Sequence, residues 1–309
     1  MKRQMVLLGV VFALLMFGLG VAAAQDHGDG HGGMMMTGLP TVGPDVTIRF
    51  AASVGTTPAA CGMIYEGQGA EGSTLSLNDY RFYVSNVRLI NAAGEEVAVE
   101  LKQDGLWQYA NVALLDFEDG TGLCGEAGNA DLNDKVVGTV PQGDYTGLVF
   151  DLGVPFELNH LDTTTAPAPL NLPAMWWNWQ VGYKFVRIDL QTPNSETPAW
   201  FIHLGSTGCA SADGNTPPSE PCSNPNMGTV RFDPFNPVQN FVVADLSALL
   251  AHVNLNQNAP MPPGCMSGPE DPDCAGLFPG FGLDLQTGVV DSSLAQTFFR
   301  VEGQTALAH

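Results

Sequence analysis

Short runs that alternate apolar and polar residues, each closed off by Gly or Pro, constrain this chain more than any other feature. Val46–Ala51 alternates cleanly, and further runs occupy Val97–Leu101, Gly143–Leu152, Trp179–Leu190, Ala199–Leu204, Thr229–Phe232 and Gln239–Asp245. Side chains repeat with period two along a strand, so such runs suit strands with one buried face. The 36 Gly and 22 Pro residues supply the breaks between them. Leu75–Ile90 is longer and changes parity: Tyr80, Phe82 and Val84 share one face, Val87 and Leu89 the other. Two strand segments joined by a bulge or turn near Ser85-Asn86 are therefore expected. Leu246–Val253 suits a short helix, and residues 254–280 form a long Pro/Gly/Asn loop. The sum is an all-β chain: a single β-sandwich-like domain over residues 46–303, with long loops and disulfides.

Lys2 and Arg3 precede an apolar run from Met5 to Val21 that ends in Ala22-Ala23-Ala24. This is the pattern of a secretory signal peptide, residues 1–24. A membrane anchor is the competing reading of so long a run, but the small residues before Gln25 favour cleavage and no membrane insertion afterwards. Export to the periplasm or outer surface of a bacterial cell is expected. Residues 25–45, rich in Gly, His and Met, cannot bury a core and are expected to be a disordered linker. Within them His27, His31 and Met34–Met36 offer donors for a weak copper capture arm.

There are 11 Lys and Arg against 32 Asp and Glu, a net charge of −21, and loss of Lys2 and Arg3 with the leader takes this to −23. Such a surface repels nucleic acid and anionic membranes and favours cations or a basic partner. Six cysteines behind an export signal imply disulfides. Local closure pairs Cys209 with Cys222 and Cys265 with Cys274, leaving Cys61 for Cys124. No C-x-x-C spacing occurs, which argues against a thiolate zinc site.

Three of the five tryptophans fall in Met175-Trp176-Trp177-Asn178-Trp179-Gln180-Val181-Gly182-Tyr183-Lys184-Phe185. Taken as one strand, Trp177, Trp179, Val181, Tyr183 and Phe185 share a face. That face is a core, a chemical site or a stacking platform. His160, in a loop after a strand, and His203, in a strand, bracket this run. Neutral imidazoles with few anionic neighbours suit copper or zinc. Asp116, Glu118, Asp119 and Asp131 are hard oxygen donors and a possible calcium site, though without EF-hand spacing; a solvated acidic turn is the plainer account. G-x-S-x-G, H-E-x-x-H and P-loop signatures are absent. One function these features allow is a calcium-stabilised adhesion or carbohydrate-binding module with the tryptophans as platform.

The ordered blocks Asp79-Tyr80-Arg81-Phe82-Tyr83-Val84-Ser85-Asn86, Leu114–Glu118, Gly153-Val154-Pro155-Phe156 with Asn159-His160, Pro169-Leu170-Asn171, the aromatic run, and His203-Leu204-Gly205-Ser206-Thr207-Gly208-Cys209 resemble the MbnP-like family. This is the four-Cys protein of a metallo-mystery pair, related to copper-binding surface proteins of methane-oxidising bacteria. The resemblance covers roughly residues 45–300. It implies an exported, non-enzymatic β protein that binds copper and is the substrate of a dihaem, MauG-like peroxidase partner. That partner would oxidise a tryptophan, Trp179 or Trp177 with Trp179 favoured, to kynurenine. His160 and His203 match the motif histidines and would ligate the metal. Phe201, on the His203 face, would help exclude water. Cys265 and Cys274 are a pair beyond the four-Cys pattern.

Overall fold

The computed structural model describes residues 40–304, apart from 126–129, 194–197 and 259–261. The expected signal peptide and the His27/His31/Met34–Met36 segment lie outside the described residues. Val42 is buried and pairs with Gly143, so packed chain begins a little before the alternating pattern does.

The spine is one strand of 19 residues, Ser73–Asn91. Its first half pairs with Val186–Gln191 and its second half with Tyr145–Leu152. The parity change read from the sequence is a bulge inside this continuous strand, not a break between two. The register shifts where Val149 faces Arg88 but Asp151 faces Ser85. Asn86 absorbs the extra residue at φ 49° and donates from Nδ2 to Asp151 Oδ2 at 2.8 Å.

Among the described residues, a ten-stranded sheet runs in the order Gly228–Phe232, Tyr145–Leu152, Ser73–Asn91, Val186–Gln191, Ala199–Leu204, Gly264–Cys265, with shorter strands alongside the spine. A six-stranded sheet runs Phe299–Gly303, Asn240–Asp245, Asp45–Val54, Lys135–Thr139, Glu100–Leu101, with Thr57–Pro58 paired to the end of Asp45–Val54. Phe50 and Phe299 of the smaller sheet meet Phe82 and Phe150 of the larger, with ring centroids 5.2–6.3 Å apart. Tyr80 donates its hydroxyl to the Ala244 carbonyl across the same gap at 2.9 Å. The alternating parity of Tyr80, Phe82 and Val84 thus builds one layer of a sandwich core.

Three expectations need correction in detail. The run Val97–Leu101 is two short strands, Glu96–Ala98 and Glu100–Leu101, that join different sheets. The aromatic run is not one strand: Trp176–Asn178 and Gly182–Tyr183 form a separate hairpin, and the strand proper starts at Val186. Asn178 causes the reversal, its Oδ1 accepting from the N–H groups of Gln180 and Val181 at 2.9 and 3.0 Å. Gly182 completes it at φ 80°, where a Cβ would overlap Asn159. The expected helix is a single turn, Leu246–Leu249, capped by the Asp245 carboxylate.

All three disulfides form as local closure suggests: Cys61–Cys124, Cys209–Cys222 and Cys265–Cys274. No helix among the described residues is long and apolar enough to cross a membrane.

Candidate functional site

The second face of the large sheet carries charge, because register stacks alternate residues of four strands into rows. His203 faces Arg187, Arg187 faces Arg81, and Arg81 faces Asp116. One step along, Phe201 faces Asp189 and Asp189 faces Asp79. Arg81 is almost wholly buried and pairs with Asp79, and its guanidinium lies 3.6 Å from Glu118. Arg187 bridges Asp79 at 3.1 Å and Asp189 at 2.6 Å. Buried ions persist only when paired in this way. Burial pushes Asp116 up to about 7 against the pull of Arg81. Burial also acts on Asp189, yet the hydrogen bond from His203 and the nearby Arg187 hold it at about 2. Sequence reading missed this row. Its signal lies in the charged alternate positions Asp79/Arg81 and Arg187/Asp189 inside otherwise apolar strands.

His203 ends the row. Its Nε2 lies 2.7 Å from Asp189 Oδ1. Burial holds its pKa below the ordinary histidine value, with Asp189 opposing the shift. A neutral His203 therefore donates Nε2–H to the carboxylate and keeps the Nδ1 lone pair. Phe201 stacks on it at 5.4 Å, as their shared parity predicts. Trp177 packs edge-on to its ring at 6.3 Å. The backbone of Gly205 leaves room for that indole; a Cβ at 205 would overlap it.

His160 follows the one-turn helix Phe156–Asn159. Its Nδ1 lies 3.2 Å from the Trp179 carbonyl, so this nitrogen donates and Nε2 keeps the lone pair. Nε2 is 3.8 Å from Cys222 Sγ and 3.3 Å from Asn159 Nδ2. Burial lowers the pKa of His160 too, with the Trp179 carbonyl opposing. Asn159 ties this loop to the rest of the site. Its Oδ1 accepts from Tyr183 N at 2.9 Å, and its Nδ2 reaches Ser206 Oγ, three residues past His203, at 3.4 Å.

The two candidate tryptophans separate. Trp177 lies against His203. Trp179 gives its carbonyl to His160 while its ring packs perpendicular to Trp176 at 5.6 Å. A hollow of about 330 Å³ opens on Trp177, lined also by Asn178, Val181, Ser206, Thr207 and Met266. Of the acidic residues, Asp116 and Glu118 are buried beside Arg81, Asp119 accepts from Thr121 at 2.6 and 2.9 Å, and Asp131 is exposed. Where His160 approaches Cys209 and Cys222, the two sulfurs are joined to each other.

Fold and site together define a class: an all-β, disulfide-stapled sandwich with two buried imidazoles, each oriented through one ring nitrogen, around an indole hairpin. The MbnP family model matches residues 43–267, and the chain belongs to that family. Its structure is similar to that of MbnP from Methylosinus trichosporium, with a TM-score of 0.73 and 30% identity over 86% of this chain and 99% of the other. No curated protein gives a sequence match.

Proposed function

We propose that this protein is an exported, non-enzymatic copper-binding protein whose site is completed by oxidation of Trp177. The observation that carries this is the pair of imidazole orientations. His203 Nε2 is tied to Asp189 and His160 Nδ1 to a peptide carbonyl. Metal-ligating histidines show this arrangement, one N–H fixed by an oxygen acceptor and the opposite lone pair directed to the ion. Borderline nitrogen donors fit copper. The residues present thus suit the ion, with His203 Nδ1 and, once released from Asn159 Nδ2, His160 Nε2 as its donors.

Trp177 is the better substrate because its indole is the one that touches a candidate ligand. Conversion to kynurenine cleaves the indole C2–C3 bond and adds two oxygens. Hydrolysis of the resulting formamide releases formate and leaves an aniline nitrogen and a ketone. The oxidant, dioxygen or peroxide, would be delivered by a dihaem peroxidase partner of the MauG type. The product offers donor atoms where the indole had only an N–H. The acidic surface suits docking of a basic region of such a partner. Against a sugar-stacking platform stands the perpendicular packing of Trp176 and Trp179.

The test is a copper titration of protein purified from its native host. One tightly bound copper per chain is expected, lost in both His160→Ala and His203→Ala. Retention of full affinity in either variant contradicts the shared site.

A further inference from the structure

The Cys265–Cys274 loop, extra to the four-Cys pattern, is attached directly to the strand that carries His203. Gly264-Cys265 pairs in parallel with Phe201 and Ile202, and Phe201 N donates to the Pro263 carbonyl at 3.2 Å. Gly264 sits so close to the Phe201 backbone, at φ 87°, that no side chain fits there. Ser267 continues the attachment: its buried hydroxyl donates to the His203 carbonyl at 2.7 Å and accepts from Gly205 N at 2.9 Å. Asn226 Nδ2 bonds the carbonyls of Gly205 and Ser267 at 2.7 and 3.3 Å.

Between Cys265 and Ser267 stands Met266. Its N–H donates to the Asp271 carboxylate at 2.8 Å, and that carboxylate also accepts from Asp273 N at 3.0 Å. The backbone of Met266 is therefore held on both sides, by a disulfide and a buried acid before and by the Ser267 bridge after. Its side chain is half-buried and lines the hollow that opens on Trp177. A thioether carried by a rigid loop onto an opening of this kind is more than core filling, because a fixed backbone limits where the sulfur can go.

We propose that Met266 is a sulfur ligand for copper(I), presented by the stapled loop on the hollow beside Trp177, whose ring packs against His203. This rests on the copper reading above and adds a donor to the two imidazoles. Thioether sulfur favours the cuprous over the cupric ion. Met266 thus biases the site toward the reduced metal.

The experiment uses the full exported chain from its native host, loaded without oxygen with copper(I) supplied as its acetonitrile complex. X-ray absorption reports the ligand atoms, and competition with a chromogenic copper(I) chelator reports affinity. In the unaltered protein one sulfur is expected in the copper shell. In Met266→Leu, a swap of similar volume, that sulfur is lost and copper(I) affinity falls about tenfold or more, while copper(II) affinity changes less. Met227→Leu, a change beside Phe185 and the Gly153 turn, keeps the sulfur. A shell of nitrogen and oxygen alone in the unaltered protein overturns the proposal and leaves the copper reading standing. So does a sulfur that survives in Met266→Leu. Failure of the unaltered protein to bind copper overturns the reading beneath it.

Discussion

The two histidines of the site are held by opposite means. His203 stands on a strand, and its tautomer is set by Asp189, one member of a buried row of ions that reaches through Arg187 and Asp79 to Arg81. His160 stands in a loop, and its tautomer is set by a peptide carbonyl with the Cys209–Cys222 disulfide against its other nitrogen. Both are buried with a lowered pKa, but the His160 Nε2 lone pair faces Asn159 Nδ2 and Cys222 Sγ. The difference is in what they depend on. The sheet histidine relies on paired charges, some of them two strands away. The loop histidine relies on a covalent staple and on backbone geometry. Each should therefore fail under a perturbation that spares the other.

The largest effect is expected from Arg81→Met. Removing this guanidinium takes one of its two arginine partners from the buried Asp79, leaving Arg187, and takes a cation from the buried Glu118; loss of one partner of a buried pair costs about 3–5 kcal/mol. Guanidinium chloride unfolding measures the loss. Nuclear magnetic resonance of the imidazoles should show His203 displaced and His160 little changed. Equal disturbance of both would break the contrast.

Next comes Cys209→Ser with Cys222→Ser. The bridge closes a short loop, with a sequence separation of 13, and its removal should cost about 3 kcal/mol. Here the His160 signal should move and the His203 signal should stay, the reverse of the first variant.

Asp189→Asn keeps the shape and removes the charge, for an expected loss of about 1–3 kcal/mol. The Asp189 carboxylate is what lifts the His203 pKa against burial. Without it that pKa should fall further. An upward move, read by chemical-shift titration, would mean that Asp189 is not the group that orients His203.

The smallest expected effect is a slope with pH. Burial depresses the pKa of both histidines in the folded state below the ordinary value of 6.5. The folded chain therefore binds fewer protons there than the unfolded chain. The stability this gives is complete above about pH 6.5 and is lost as pH falls through the histidine range. Asp116, pushed up to about 7 by burial, works in the opposite sense over this range, so the histidine share is read as a difference: from pH 7.5 down to 5 the unaltered protein should lose stability relative to His203→Gln. An unchanged slope in that variant would show that the imidazole does not titrate out of a buried neutral state.

Much of this contrast has a local origin that the sequence displays, and part does not. The strand Ala199–Leu204 and the shared face of Phe201 and His203 follow from alternation alone. So does the bulge at Asn86, because parity is a property of neighbouring residues. The Cys209–Cys222 and Cys265–Cys274 pairings followed from loop length for the same reason, and Cys61–Cys124 was what remained. The charge row was hidden, since Asp79, Arg187 and Asp189 meet only through the pairing of strands more than 100 residues apart in sequence. The aromatic hairpin was hidden for another reason. Its alternating rings imitate a strand, and the reversal depends on one Asn side chain and one Gly, a signal weaker than the hydrophobic pattern over it. That misplacement matters for chemistry. With a single strand Trp177 and Trp179 are equivalent neighbours on one face, whereas in the hairpin one ring reaches His203 and the other does not.

The central claim is that Trp177 is the residue modified to complete the site. Peptide mass spectrometry of protein from its native host, with sequencing of the 175–185 segment, tests it directly. Exchange of one carbon for one oxygen adds about 4 Da to the tryptophan side chain. The account predicts that gain on Trp177, with Trp176 and Trp179 unaltered. An unmodified segment, or the same gain placed on Trp179, would contradict it.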